Sequence, residues 1–193
     1  MSILFQFDRP SFILFYLVTV LWIAEFAIFP SKDREKDKNE TRSFLVIMAM
    51  IVTSHLLSIG FTVFGWFRIE GTLPLLTIVA MITYPLGLAL RYVSVIHLGN
   101  HFTRDVEVSK TQALVSTGPY RLLRHPLYLG LFLLTVSVPM FFANWLMTIV
   151  SAALMFSVLN HRMTIEETMM EEIIGDPYLE WKRKRYRFIP FIY

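Results

Sequence analysis

The chain has 193 residues and no cysteine, and 55% of its residues are hydrophobic whereas only 17% are charged. A soluble domain usually has ~25% charged residues, and without cysteine the chain can form no disulfide, zinc thiolate or cysteine nucleophile. The net charge of +3 is small and fits contact with anionic lipid headgroups, so no nucleic-acid partner is expected.

The first half of the chain contains three long apolar runs. They cover residues 10–29, 44–67 and 72–96, and they hold only two charges between them, Glu25 and Arg91. About 20 apolar residues suffice to span a bilayer. Each of these runs therefore predicts one membrane-spanning helix.

The second half contains two shorter apolar runs, residues 127–142 and 145–160, which Ala143 and Asn144 separate. Read as one segment they would be too long for a single span, so the sequence predicts two short spans joined by a tight turn. Five such runs would leave a soluble protein too little polar surface to cover them. The sequence predicts an all-α, polytopic membrane protein with about five transmembrane helices, a single domain over 1–193.

Basic residues are divided unequally between the two sides that five spans would define. One side has two of them, Arg9 and Arg68, whereas the other has 15, in the loop 31–43 and the segments 97–126 and 161–193. Loops rich in lysine and arginine remain cytoplasmic. The sequence therefore predicts an external N-terminus, with the C-terminus and the active site in the cytoplasm.

A polar cluster stands at the cytoplasmic start of the fourth run, in GPYRLLRHPLYLG, residues 118–130. Arg121 and Arg124 fit basic residues that anchor a span by snorkelling, and this interpretation stays open. Beyond the fifth run, Arg162 and Glu166 are four residues apart and would share one face of a continued helix; an ordinary surface ion pair is the simpler interpretation. Both clusters lie at one membrane boundary, where a pocket could bring a polar molecule to a lipid.

Other motifs add little to this pocket. No glycine-rich phosphate loop is present. His97 and His101 are four apart, but Gly99 disfavours the helix that would join them on one face, so no metal site is predicted. Gly175 and the proline after it predict the end of the last long helix. The basic, aromatic tail at 181–193 is typical of a segment that lies on the membrane surface.

The C-terminal motifs taken together resemble the isoprenylcysteine carboxyl methyltransferase family, and phospholipid N-methyltransferases have a similar C-terminal half. The motifs are GPYRLLRHPLYLG, the pair Glu166-Glu167 and GDPYLEWKRKRYRFIP, and the resemblance covers about 97–190. It implies S-adenosylmethionine as cofactor, bound at the cytoplasmic face by segment 97–193. It also implies a lipidic acceptor, most directly the C-terminal carboxylate of an isoprenylcysteine. Lipid amine methylation, an NADPH-dependent enzyme resembling sterol reductases and a non-catalytic binding protein are the alternatives.

The resemblance also implies roles for individual residues. Arg162 matches an arginine assigned to the substrate, where it would orient the acceptor carboxylate as a catalytic residue. Glu166 is the favoured member of the glutamate pair, and Glu107 stands only near a position where some relatives have glutamine. The implied cofactor-binding residues are Glu107, Gln112, Ala113, Leu114, Val115, Tyr120, His125, Pro126, Tyr128, Glu166 and Glu167.

Overall fold

The computed structural model describes residues 9–29, 38–69, 74–99 and 114–193. Within these ranges the chain is helical apart from turns and two isolated bridges, Arg68 with Asn144 and Leu123 with Tyr186. The helices are α1 Arg9–Ile28, α2 Lys38–Val63, α3 Leu75–Leu98, α4 Pro126–Phe141, α5 Trp145–Ile174 and α6 Asp176–Arg183, with a short 3₁₀ turn at Gly118–Arg121. The all-α prediction is confirmed.

Four helices of the described ranges are long and apolar enough to cross a membrane, namely α1, α2, α3 and α5. Helix α4 has 16 residues, which at ~1.5 Å per residue falls short of the ~30 Å hydrocarbon core. It packs against α2, α3 and α5, and residues 134–139 are all buried. A helix covered by protein in this way needs no full hydrophobic span, and about five membrane helices is the correct description.

Two glycines bring α3 and α4 into close contact. A Cβ atom at Gly87 would lie 2.9 Å from the Gly130 carbonyl oxygen, and a Cβ atom at Gly130 would lie 2.6 Å from Cγ of Arg91. Small residues let membrane helices approach closely enough for backbones to touch. The start of α4, which carries the polar motif, is therefore held firmly against α3.

The two charges inside the apolar runs bind each other. Arg91 donates from Nε to Glu25 Oε2 at 2.7 Å and from Nη2 to Glu25 Oε1 at 2.5 Å, and both side chains are buried. The Tyr92 hydroxyl also donates to the Leu21 carbonyl at 2.7 Å. A charge within a membrane is costly unless it is paired, so this two-point contact fixes α1 against α3.

Asn144 forms the tight turn that the sequence predicts between the last two spans. Its side-chain oxygen accepts a hydrogen bond from the Met147 amide at 3.0 Å, which caps α5. Its side-chain nitrogen donates to the Trp66 carbonyl at 3.0 Å. Ala143, just before it, has the positive φ of 55° that the reversal requires. The buried side chain of Asn144 thus caps α5 and attaches it to the turn that follows α2.

Helix α5 continues past its apolar part to Ile174, and Gly175, with a φ of 71°, ends it as predicted. The tail beyond α6 then turns back into the protein. The Tyr186 amide donates to the Leu122 carbonyl at 2.9 Å, and Phe188 is fully buried against aromatic rings of α4 and α5. The middle of the tail is therefore packed, and the surface-lying interpretation does not hold for it.

Candidate functional site

The polar motif begins with a turn that requires glycine. Gly118 has a φ of 54°, and a Cβ atom there would lie 2.4 Å from the His97 ring. The 3₁₀ turn that follows buries Tyr120, and burial raises the pKa of this hydroxyl, so that it stays neutral. The Tyr120 carbonyl accepts a hydrogen bond from Arg185 Nε at 2.7 Å. His125 then caps α4, and Pro126 takes its first position.

His125 lies between the two glutamates that the sequence singles out. Its Nδ1 is 3.4 Å from Glu166 Oε2, and its Nε2 is 3.0 Å from Glu167 Oε1. Burial alone would lower the pKa of the imidazole, but the hydrogen bonds and charges of the two carboxylates outweigh burial and raise this pKa. The motif on α4 and the glutamates on α5 are thus brought together, as predicted.

Tyr128 lies between Arg162, which the sequence analysis assigns to the substrate, and Glu166, which it assigns to the cofactor. Its hydroxyl donates to Glu166 Oε1 at 2.5 Å and accepts from Arg162 Nε at 2.7 Å. The Tyr128 ring also stacks on His125, with 5.6 Å between ring centroids. Arg162 and Glu166 share one face of α5, as predicted, and the tyrosine couples them across the gap to α4.

Glu167 is shared by several basic side chains. Its Oε1 is 2.8 Å from Arg124 Nη1 and 3.4 Å from Arg187 Nε, besides its contact with His125. Its Oε2 is 3.2 Å from Lys182 Nζ. These contacts bring together residues from the polar motif, α5, α6 and the tail, so that one carboxylate connects four segments at this end of the protein.

The cluster has more positive than negative charge. Its carboxylates are Glu166, Glu167 and, through Lys182, Glu171; its permanent cations are Arg124, Arg162, Lys182 and Arg187. A protonated His125 increases the excess of positive charge. Arg124 Nε is buried and has no hydrogen-bond partner among the described residues. An arrangement of this kind favours an anionic group in its neighbourhood.

The remaining predicted residues occupy different places. Leu114 and Val115 are half-buried, and the Val115 carbonyl accepts a hydrogen bond from Trp181 Nε1 of α6 at 3.2 Å. Pro126 is buried at the start of α4. The positions that lie outside the described residues are Glu107, Gln112 and Ala113.

Sequence reasoning missed the contribution of the tail, above all Lys182 and Arg187. A signal was present, because in RYRF, residues 185–188, basic and aromatic side chains alternate. In an extended segment this alternation directs the two kinds of side chain to opposite sides. It distinguishes a packed segment from a uniformly basic membrane anchor.

The family model of isoprenylcysteine carboxyl methyltransferases matches residues 76–172, half of the chain. The chain belongs to this family. The family model includes α3, α4 and most of α5, and with them His125, Arg162 and both glutamates. The resemblance inferred from the C-terminal motifs is confirmed, and the chain is an integral membrane protein.

Relatives in the isoprenylcysteine carboxyl methyltransferase family come from several eukaryotes. The protein-S-isoprenylcysteine O-methyltransferase of Schizosaccharomyces pombe is 29% identical over 109 residues, 55% of this chain and 46% of that protein. Its namesake from Rattus norvegicus is 31% identical over 108 residues, 55% of this chain and 38% of that protein. The chain spans about half the length of the curated relatives it matches.

A solved structure of the eukaryotic intramembrane Ras methyltransferase, an isoprenylcysteine carboxyl methyltransferase, has a similar fold. The two structures agree with a TM-score of 0.66 at 19% sequence identity, over 96% of this chain and 69% of that one. The agreement extends beyond the residues of the family model. The fold that α1 and α2 form with the later helices is therefore also similar to that structure.

Proposed function

We propose that this protein transfers a methyl group from S-adenosylmethionine to the C-terminal carboxylate of an isoprenylcysteine-type lipid. The observation that carries the proposal is the hydroxyl of Tyr128, which couples Arg162 to Glu166 where α5 passes from its apolar part into its charged part. A polar cofactor and a lipid acceptor would have to meet at such a boundary. The names of the relatives support the same activity.

The residues of the site fit a zwitterionic cofactor. Glu166 and Glu167 offer negative charge to a cationic group, whereas Arg124 and His125 offer positive charge to a carboxylate, and the unpartnered Arg124 Nε supports this use. Tyr120 and Tyr128 would add aromatic surface. Pro126, Leu114 and Val115 would complete the described part of the site, and Glu107, Gln112 and Ala113 belong to the same proposal.

The proposed reaction requires the acceptor carboxylate to be held in line with the methyl group, and it requires no general base. The cofactor, when bound, would supply an activated methyl group: the ionised acceptor carboxylate would bond to the methyl carbon as the carbon–sulfur bond breaks and S-adenosylhomocysteine leaves. Arg162 would hold the acceptor carboxylate by charge-assisted hydrogen bonds, and this carboxylate is already ionised near neutral pH. Holding two reactants in line can itself supply a large part of the rate.

The surroundings of His125 favour a carboxylate acceptor over an amine. An amine must lose a proton before it attacks, so it would need a base in the site. The hydrogen bonds and charges of Glu166 and Glu167 raise the pKa of His125, which favours the protonated imidazole, a form that cannot act as a base. The carboxylate acceptor has no such requirement.

The test supplies labelled S-adenosylmethionine to the protein in lipid nanodiscs with three acceptors. These are an S-farnesyl thiol carboxylate, the matching carboxamide and phosphatidylethanolamine. The proposal expects label only in the carboxylate, in a product that alkali hydrolyses as a methyl ester. Alkali-stable label in phosphatidylethanolamine would instead establish amine methylation.

The same proposal places the N-terminus outside and the site in the cytoplasm, because 15 basic residues lie on one side of the five-helix arrangement and two on the other. Reporter fusions after residues 69 and 193 should then report opposite sides of the membrane. Fusions that report the same side would refute this orientation.

A further inference from the structure

Arg187 in the C-terminal tail contacts α5 at three successive levels. Its Nη1 donates to Asn160 Oδ1 at 3.0 Å and its Nη2 to Thr164 Oγ1 at 2.7 Å. Its Nε lies 3.4 Å from Glu167 Oε1, which is an ion pair without a hydrogen bond. Residues 160, 164 and 167 follow the spacing of one helix face, so the planar guanidinium lies along the stripe that leads to the site.

The backbone at Arg187 contacts the other half of the site. The His125 amide donates to the Arg187 carbonyl at 3.2 Å, and the Arg124 amide donates to the Tyr186 carbonyl at 2.8 Å. One residue therefore holds the backbone of His125 through its carbonyl. Through its side chain it holds the helix whose carboxylates surround the His125 imidazole.

The site needs such a connection because the chain joins its two halves, the start of α4 and the charged part of α5, only at the opposite end of α4. His125 precedes α4 and Glu167 is on α5, and these helices are linked by the Asn144 turn at the opposite end of α4. That turn is about 24 Å away at ~1.5 Å per residue over the 16 residues of α4. A small change of angle at the turn would alter the separation of His125 and Glu167 substantially.

The other connections between α4 and α5 at this level belong to the proposed binding site. Tyr128, Arg162 and Glu166 would exchange their mutual hydrogen bonds when cofactor and acceptor bind. The contacts of Arg187 with Asn160 and Thr164 lie beside this region and involve no residue assigned to a ligand. They can persist through binding and release.

We infer that Arg187 is a positioning residue, which sets the separation between His125 and the Glu166–Glu167 pair and touches neither cofactor nor acceptor. This inference rests on the proposed function for its catalytic consequence. Its structural part, a connection from the tail to both halves of the site, applies to the ligand-free protein as well.

The first test therefore uses the ligand-free protein. In Arg187→Met the backbone carbonyl remains and the guanidinium is lost, so the Arg124 and His125 amides, which donate to the tail, should exchange hydrogen at least tenfold faster than in the parent. The matched control is Arg183→Met, which removes the same charge from an exposed position on α6 and should leave this exchange unchanged. Equal exchange in both variants would overturn the inference, whether or not the protein binds S-adenosylmethionine.

The second test measures the catalytic consequence. Arg187→Met should weaken S-adenosylhomocysteine binding several-fold and lower kcat about ten- to hundredfold, since misplaced reactants lose rate steeply. The acceptor KM should stay within about twofold, because Arg162 retains its own contacts. A rise in acceptor KM with unchanged cofactor affinity would place Arg187 in the acceptor site and refute the positioning role.

A second variant tests the inference in case Arg187→Met fails to fold. Asn160→Ala combined with Thr164→Val keeps the charge of Arg187 but removes two of its partners, and it should reproduce both effects in weaker form. If this double variant and Arg187→Met match the parent in exchange and kinetics, the inference is wrong. Absence of S-adenosylhomocysteine binding by the parent would refute the proposed cofactor instead, and the exchange experiment would still decide the role of Arg187.

Discussion

Two regions of this protein bury arginine and glutamate, and they do so differently. Between α1 and α3, one arginine and one carboxylate, Arg91 and Glu25, meet through two hydrogen bonds, and the charges balance. In the cluster at the start of α4, one carboxylate, Glu167, is shared by Arg124 and Arg187 together with other cations. A balanced pair joins two helices, whereas a cluster with excess positive charge is suited to a ligand.

This difference between a balanced pair and a shared cluster predicts which substitutions lower stability and which lower binding and activity. Removing one member of a dedicated buried pair leaves a single charge without compensation, so the effect falls on stability. Removing one member of a shared cluster leaves other partners for the remaining charges, so the effect falls on binding and reaction. The predictions below test this division, beginning with the largest expected effect.

Glu25→Ala should destabilise the protein by about 3–5 kcal/mol, because it leaves Arg91 buried and unpaired. The double variant Glu25→Leu with Arg91→Met should recover most of this loss, since no charge then remains buried. Unfolding in detergent is the measurement, with Glu180→Ala on the exposed side of α6 as control. A loss for Glu25→Ala no larger than that of the control would show that the pair does not hold α1.

Arg162→Ala should slow methyl transfer by about one to two decades, since a charge-assisted hydrogen bond contributes ~1.5–3 kcal/mol. Arg162→Lys should recover only part, because lysine lacks the planar fork. Single-turnover transfer and S-adenosylhomocysteine affinity are measured together. The affinity should largely persist, and a rate loss explained wholly by weaker cofactor binding would move Arg162 into the cofactor site.

Stability should depend on pH through His125. Its pKa is raised in the folded protein because the two glutamates outweigh burial, so folding favours the imidazolium. This contribution is complete below the unfolded pKa of ~6.5 and is lost as pH rises through the folded pKa. Unfolding measured from pH 5.5 to 9 should show the decline in the parent and a shallower one in His125→Gln. Parallel curves would contradict the effect.

Lys182→Ala should have the smallest effect. Lys182 lies 3.2 Å from Glu167 and 2.5 Å from Glu171, but its side chain is 30% exposed. Partly exposed ion pairs contribute about 0–1 kcal/mol, and Glu167 keeps its arginine partners. We expect less than a fivefold change in S-adenosylhomocysteine affinity at low salt and none at high salt. A loss of affinity that persists at high salt would mean that Lys182 contacts the cofactor.

The sequence predicted those parts of the fold that depend on local pattern. Apolar runs determined the helices, because a membrane helix must satisfy its own backbone, and Asn144 and Gly175 marked where α5 begins and ends. In the candidate site, the spacing of Arg162 and Glu166 predicted that they share one face of α5, and the motif at the start of α4 lies against them; their roles stay predictions.

The pairings of the tail with distant segments were not predicted. Arg187 binds Asn160 and supports His125, and neither contact follows from the local pattern of the tail. The pair of Glu25 and Arg91 was within reach of sequence reasoning, because two opposite charges alone in membrane helices are expected to find each other. The sequence did not predict which helices pack side by side, and this packing is what allows Glu25 and Arg91 to bind each other.

Helix α5 is longer than the hydrocarbon core of a bilayer is thick, so the depth of its charged part depends on membrane thickness. Its 30 residues extend about 45 Å at ~1.5 Å per residue, whereas the hydrocarbon core is ~30 Å thick. Trp145, at the start of α5, and Trp66 are both exposed, and tryptophan is enriched at membrane surfaces. Glu167 lies about 33 Å along the helix from Trp145. A thicker bilayer would draw the carboxylates toward the headgroups and a thinner one would raise them into water. Under the proposed function, membrane thickness would set how far the polar end of the lipid acceptor must rise to reach Arg162.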